Sequence, residues 1–202
     1  MTFKKRNWLL LGMLAVIAAL VYLPFVNKMG LYNDDWYLMY DAHTQGAQFF
    51  HEVFSIDRPA RAYVMQAAYT LFGDHVLYYH LSAYVFRVLS AWALFWALDM
   101  VWEKQKKLNF LIALFFLIYP GFLSQINPID YQSQILSLCL AMASIAFTVQ
   151  AIQSKSRYGK AVWFLLSIAA GIMYPALVEY FIGLEVLRLA LIVDLVLQEN
   201  KV

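Results

Sequence analysis

Asp34 and Asp35 stand side by side in the stretch Leu31-Tyr32-Asn33-Asp34-Asp35-Trp36, just after the first long apolar run. Adjacent ionised carboxylates repel, and each raises the other's pKa unless a cation, a metal or a set of donors compensates. Such a pair suits a general base or a metal ligand. It also suits a turn and helix cap, because Asn and Asp serve both. Cationic partners are at hand. Arg58 and Arg61 follow in Asp57-Arg58-Pro59-Ala60-Arg61, and Arg87 lies inside a later apolar stretch. His80, Tyr84 and Arg87 follow the i, i+4, i+7 spacing of one helix face. A charge at that depth is costly and turns toward a bundle interior or a cavity; the alternatives are a structural ion pair or a side chain that snorkels outward. Further on, Glu179 and Glu185 flank Gly183, and Arg188 is spaced to pair with Glu185. His43 and His51 are available metal donors, although no ligand spacing joins them.

The elements that must position these residues are set by an unusually apolar composition. The 202 residues are 63% hydrophobic, 17% aromatic and 14% charged, whereas charged residues approach a quarter of a soluble domain. An all-α, multi-pass bundle of transmembrane helices is expected, forming a single domain over residues 1–202 with about five to six spans. A net charge of +2 gives no basis for nucleic-acid binding. Cys139, the one cysteine, lies in an apolar run and reads as a small core residue.

Lys4, Lys5 and Arg6 precede a first span, Trp8 to Phe25, read as an uncleaved helix because its apolar run is long for a signal peptide and no small-x-small site follows it. Residues 27–75 make the one long polar segment. Within it Phe49, Phe50, Val53 and Phe54 recur at helical spacing, which predicts a short interfacial helix with its rings in lipid. A second interfacial helix is expected from Pro59 to Phe72, opened by the proline and stopped at Gly73. Later spans are expected at Val76 to Trp102, Leu108 to Leu123, Gln134 to Ile152 and from Ala161 to about Pro175, with a short apolar run, Leu189 to Leu197, at the end. Asp99 and Glu103 read as ordinary interfacial charges. Lys and Arg concentrate at the N-terminus, at Lys104 to Lys107 and at Lys155 to Lys160, which assigns these to the cytoplasm. The 27–75 segment, Asp130 and Glu179 then share the opposite face of the cell membrane.

This order of features resembles the polyprenyl-phosphate-sugar-dependent glycosyltransferases of the GT-C fold, which include protein O-mannosyltransferases and lipid A aminoarabinose transferases. The features are a basic cytoplasmic N-terminus, one span, a large outer loop opening with Asp34 and Asp35, two interfacial helices with Arg58-Pro59 at the start of the second, and short-looped spans. In that family an acid of the first outer loop, often one of a pair, acts as catalytic base or binds a metal; Asp34 and Asp35 match its position. The segment Glu179-Tyr180-Phe181 and Arg188 look like outer-face segments of bacterial relatives. The resemblance covers nearly the whole chain but only the N-terminal part of the family, whose members carry more spans and often an outer C-terminal domain. The chain is expected to be incomplete relative to them.

The resemblance implies a membrane-lipid donor, a polyprenyl-phosphate sugar, with a divalent cation as the one cofactor left open and a second membrane chain as a partner left open. Transfer requires a base for the acceptor hydroxyl and cations for the departing phosphate. Asp34 or Asp35 supplies the first, and Arg58, Arg61 or Arg87 the second, with Glu179 and Arg188 as further binding residues. An inverting displacement needs a single base. A non-enzymatic scaffold or assembly subunit is the rival class. A transporter is disfavoured because polar residues gather at the ends of spans and not along them.

Overall fold

A computed structural model describes residues 5–121 and 125–199. Lys4, the last two residues of the expected third span and the chain beyond Glu199 lie outside them. All regular structure among the described residues is helical: α1 (Lys5–Tyr22), α2 (Asp35–Gln45), α3 (Phe49–Phe54), α4 (Pro59–Phe72), α5 (Val76–Val101), α6 (Lys106–Leu117), α7 (Gln132–Gln153), α8 (Arg157–Leu177) and α9 (Glu185–Glu199).

Among the described residues, four stretches are long and apolar enough to cross a membrane: Asn7–Lys28, Val76–Val101, Gln132–Gln153 and Arg157–Leu177. The expected third span is shorter than its apolar run suggests. Its helix, α6, has 12 residues and a length of about 18 Å, because Tyr119-Pro120-Gly121 follows it and proline cannot continue a helix. At 15 residues α9 is also short of a full crossing. The expected five to six spans are therefore four candidate spans and two shorter helices. Pro175, read as a boundary, lies inside α8, which runs two residues further.

The helices pack through two apolar clusters. Leu11, Leu14 and Ala18 of α1 meet Val88, Ala91 and Phe95 of α5 and Ala113 and Leu117 of α6. On the other side of α5, Leu94 and Leu98 meet Leu138, Met142 and Ile145 of α7 and Leu191 and Leu195 of α9. Helices α7 and α8 approach through small and hydroxylic residues, as helices do where apolar surface alone gives little preference. Ser137 Oγ donates to the Tyr174 carbonyl at 2.7 Å and Ser144 Oγ to the Ser167 carbonyl at 2.7 Å. Gly171 keeps the approach open, since a Cβ there would lie 3.2 Å from Ser144 Oγ.

Because the long helices alternate in direction, the bundle has a basic end and a loop end. At the basic end Asn7 Nδ2 donates to Asp99 Oδ2 at 2.8 Å, and Lys106 Nζ donates to Asp99 Oδ2 at 2.9 Å and Asn7 Oδ1 at 2.7 Å. Asp99 is thus no ordinary interfacial charge. It is largely withdrawn from solvent in a knot joining α1, α5 and α6, where Lys106 offsets its desolvation.

At the loop end, residues 27–75 hold three helices where two were expected. The additional one, α2, begins at the acidic pair and buries Leu38, Met39 and Ala42. Helix α4 has the expected bounds, Pro59–Phe72. The rings of α3 do not face outward: Phe49, Phe50 and Phe54 pack with Leu38, Met65, Tyr79 and Ile129 in a core of their own. A helix of six residues has little stability alone, so its rings go to the nearest apolar surface, supplied by α2 and α4. Val53 alone of that set is exposed.

Candidate functional site

The acidic pair is divided by the fold. Asn33 has a positive φ of 49°, and the turn it makes leads directly into α2. Asp34 occupies the N-cap position of α2 but makes no side-chain capping bond, and it is exposed. Asp35, one residue on, points the other way and is fully buried. Its Oδ1 accepts the backbone N–H of Ile129 at 3.2 Å and of Asp130 at 2.8 Å. With its amide nitrogen turned toward the carboxylate, Asn127 donates to both Asp35 oxygens and to the Tyr32 carbonyl. Burial pushes the Asp35 carboxyl up to about 7, against the backbone bond from Asp130 and with the negative charge of Asp130 adding to the rise. Its neighbour in sequence is not the cause. The sequence-based expectation of mutual repulsion between Asp34 and Asp35 gives way to desolvation, because the two side chains leave the turn on opposite faces.

The turn held by Asp35 presents Asp130 to α4. Arg61 Nη2 donates to the Asp130 carbonyl at 2.8 Å and to its carboxylate at 2.5 Å, both side chains being largely buried. The Arg61 guanidinium also lies 4.2 Å from the Phe54 ring centroid. At the N-cap of α4, just before the helix, Arg58 meets Glu179, from the segment after α8, through a fork: Nη2 to Oε1 at 2.9 Å and Nε to Oε2 at 3.3 Å. This pair is open, with side-chain exposures of 29% for Arg58 and 63% for Glu179, so a competing anion can reach the guanidinium. The pairing raises the Arg58 pKa and lowers that of Glu179. Two tyrosines border the cluster. Tyr37 feels the charges of Asp130, Asp34, Arg61 and Asp41, and Tyr180 those of Arg58, Arg61 and Glu179; burial raises the pKa of both above that of a free phenol.

Segments 32–37, 58–61, 127–131 and 179–180 therefore meet at the loop end. They bring Asp34, Asp35, Arg58, Arg61 and Glu179 together with Asp130, which sequence reasoning placed on this face but did not single out. Asn127-Pro128 and the buried Ile129 were the readable signal: a turn carrying an apolar anchor.

Arg87 and Arg188 lie elsewhere. His80, Tyr84 and Arg87 share an inward face of α5, and Arg87 is fully buried, its guanidinium 4.6 Å over the Tyr22 ring and donating to the Tyr22 hydroxyl at 3.3 Å. Tyr22 in turn donates to the Leu117 carbonyl at 2.8 Å, so this contact ties α5 to α1 and α6. Arg188, expected near the outer face, sits at mid-height between α7, α8 and α9. It pairs with Glu185 at 2.7 Å, and its Nη atoms reach Ser144, Thr148 and Ser167. These hydroxyls saturate its donor fork and hold it away from Arg58. The reason is the turn of 3-10 helix, Glu179–Leu184, which carries the chain back into the bundle before α9 begins.

His43 bonds Asp74 at 2.7 Å and His51 bonds Gln66 at 2.6 Å. Their different partners keep them from acting as a joint ligand set, and no group of three or more His, Cys, Asp or Glu suited to a metal occurs among the described residues. Cys139 is half-buried within α7. No family model, curated protein or solved structure matches the chain.

Proposed function

We propose that this chain is a multi-pass protein of the cell membrane, with the basic end in the cytoplasm, and that its loop end transfers a sugar from a polyprenyl-phosphate donor to an acceptor hydroxyl. Four apolar helices of spanning length support the membrane reading. Lys104, Lys107, Lys155, Arg157 and Lys160, all at one end, support the orientation.

One observation carries the sugar-transfer reading: an exposed carboxylate, Asp34, shares the electrostatic surroundings of Tyr37 with Arg61, one turn along from Arg58, whose own anion partner is exposed. Asp34 takes the proton of the acceptor hydroxyl as its oxygen bonds to the anomeric carbon. The bond from that carbon to the phosphate oxygen breaks. Arg58, released from Glu179, receives the phosphate through its planar donor fork. Asp35 and the Arg61–Asp130 pair hold the frame. The deciding assay is transfer of radiolabelled sugar from polyprenyl-phosphate donors by membranes containing the chain, with and without any partner membrane chain that copurifies. No transfer above control membranes would sink the reading, and unchanged transfer by Asp34→Asn would remove Asp34 as its base. The first outcome would favour a scaffold or assembly subunit, which the engagement of Asp35, Asp130 and Arg188 by protein groups also fits.

A further inference from the structure

At the opposite end of the bundle, a groove of about 800 Å³ runs between α1 and the start of α6. Leu10 and Met13 form one wall; Leu108, Phe110 and Leu111 form the other. Its mouth carries Lys104, Lys106 and Lys107. This placement is electrostatically unfavourable, because cations crowd the N-terminus of a helix, where the macrodipole is already positive. The first turn of α6 holds no acidic residue, and its N-cap, Gln105, makes no side-chain cap bond. Lys106 is nine-tenths buried. Two of its three protons go to Asp99 and Asn7, which leaves one donor for a ligand. The second groove at this end, bordered by Arg157 and Lys160, differs in that its helix start is capped by Ser156.

We infer that the α1/α6 groove is a binding site for an anionic phospholipid of the leaflet at the basic end, its phosphate held over the start of α6 by Lys104, Lys106 and Lys107 and an acyl chain lying between Leu10, Met13, Phe110 and Leu111. The apolar walls below the lysines commit the site to a lipid and not to a free phosphate. Charge complementarity commits it to an anionic headgroup, as expected for basic pockets between helices facing a negatively charged leaflet. The site rests on the membrane reading but is independent of sugar transfer.

The test is a native mass spectrometry titration of the purified chain with phosphatidylglycerol and phosphatidylcholine, in parallel with soluble glycerol phosphate. Phosphatidylglycerol should bind preferentially, and glycerol phosphate should not displace it. Lys104→Gln/Lys107→Gln, both at exposed positions, should weaken that binding roughly thirtyfold, taking about fivefold per lysine near an anionic surface. Lys155→Gln/Lys160→Gln, with the same change of charge, should leave it intact. Equal binding of the two lipids, displacement by glycerol phosphate, or equal loss in both double variants would each overturn the site. A dimer peak in place of bound lipid would do the same. None of these outcomes depends on whether the loop end transfers sugar.

Discussion

Asp35 holds Asp130 in place across 95 positions of sequence: its buried Oδ1 accepts the Asp130 N–H at 2.8 Å, and the Asp130 side chain then pairs with Arg61. One carboxylate thus sets the position of another, and the acid left over from the Asp34–Asp35 pair is free to meet solvent.

The two acids should separate by substitution. Asp34→Asn should leave the fold intact and reduce transfer about a hundredfold to ten-thousandfold, the usual loss when a general base is removed. Asp35→Asn keeps an oxygen for the two backbone donors and should retain most of the activity. Asp35→Ala leaves those buried donors unpaired, at about 1–3 kcal/mol each. Thermal midpoints in detergent, measured beside transfer, check all three. Inactive Asp35→Asn with active Asp34→Asn would reverse the assignment.

Stability should fall as pH rises. The Asp35 carboxyl is pushed from 3.8 up to about 7, so the folded chain binds this proton more readily than the unfolded one. Its stabilising share is complete below about pH 4 and is lost as pH rises through about 7. The full difference is on the order of 4 kcal/mol. A melting series from pH 5 to pH 8 should show the decline, and Asp35→Asn should flatten it. An unchanged slope in that variant would place the titrating group elsewhere.

Arg58 and Glu179 should have opposite effects on the donor. Arg58→Ala should raise KM for the polyprenyl-phosphate sugar, and Glu179→Gln, which frees the guanidinium, should lower it. Neither should move the melting midpoint appreciably, because an open ion pair contributes little to stability. A drop in stability without a change in KM would make the pair structural.

The Arg61–Asp130 pair should behave in the opposite manner. Removing either partner leaves the other charge buried, which costs about 3–5 kcal/mol. Arg61→Leu with Asp130→Ala should recover much of that loss. A double-mutant cycle by chemical denaturation in detergent measures the coupling, and additive losses would show that the two groups do not depend on each other.

Orientation can be read by cysteine labelling after Cys139→Ser. A cysteine at the exposed position Gln45 should react with an impermeant reagent added outside cells, and one at Gln105 should react only after the cells are opened. The reverse pattern would invert the bundle and with it the proposed lipid leaflet.

Much of this architecture follows from local chemistry. Apolar runs of spanning length, the proline that opens α4, the glycine after it and the clustering of lysines at one end are short-range properties, and the sequence alone determines them. So does the presence of Asp34, Asp35, Arg58 and Glu179 on one face, because alternating helices return their connections to the same side. Tertiary packing decided the rest. Whether the rings of α3 met lipid or α2, whether Asp99 stayed at the surface or joined Lys106 and Asn7, and which acid of the pair turned inward all depended on partners tens of residues away. Arg188 shows the reason most plainly. Its spacing to Glu185 was visible in the sequence, but its depth was set by hydroxyls on α7 and α8, since a guanidinium drawn into a bundle is stabilised where acceptors meet its donors.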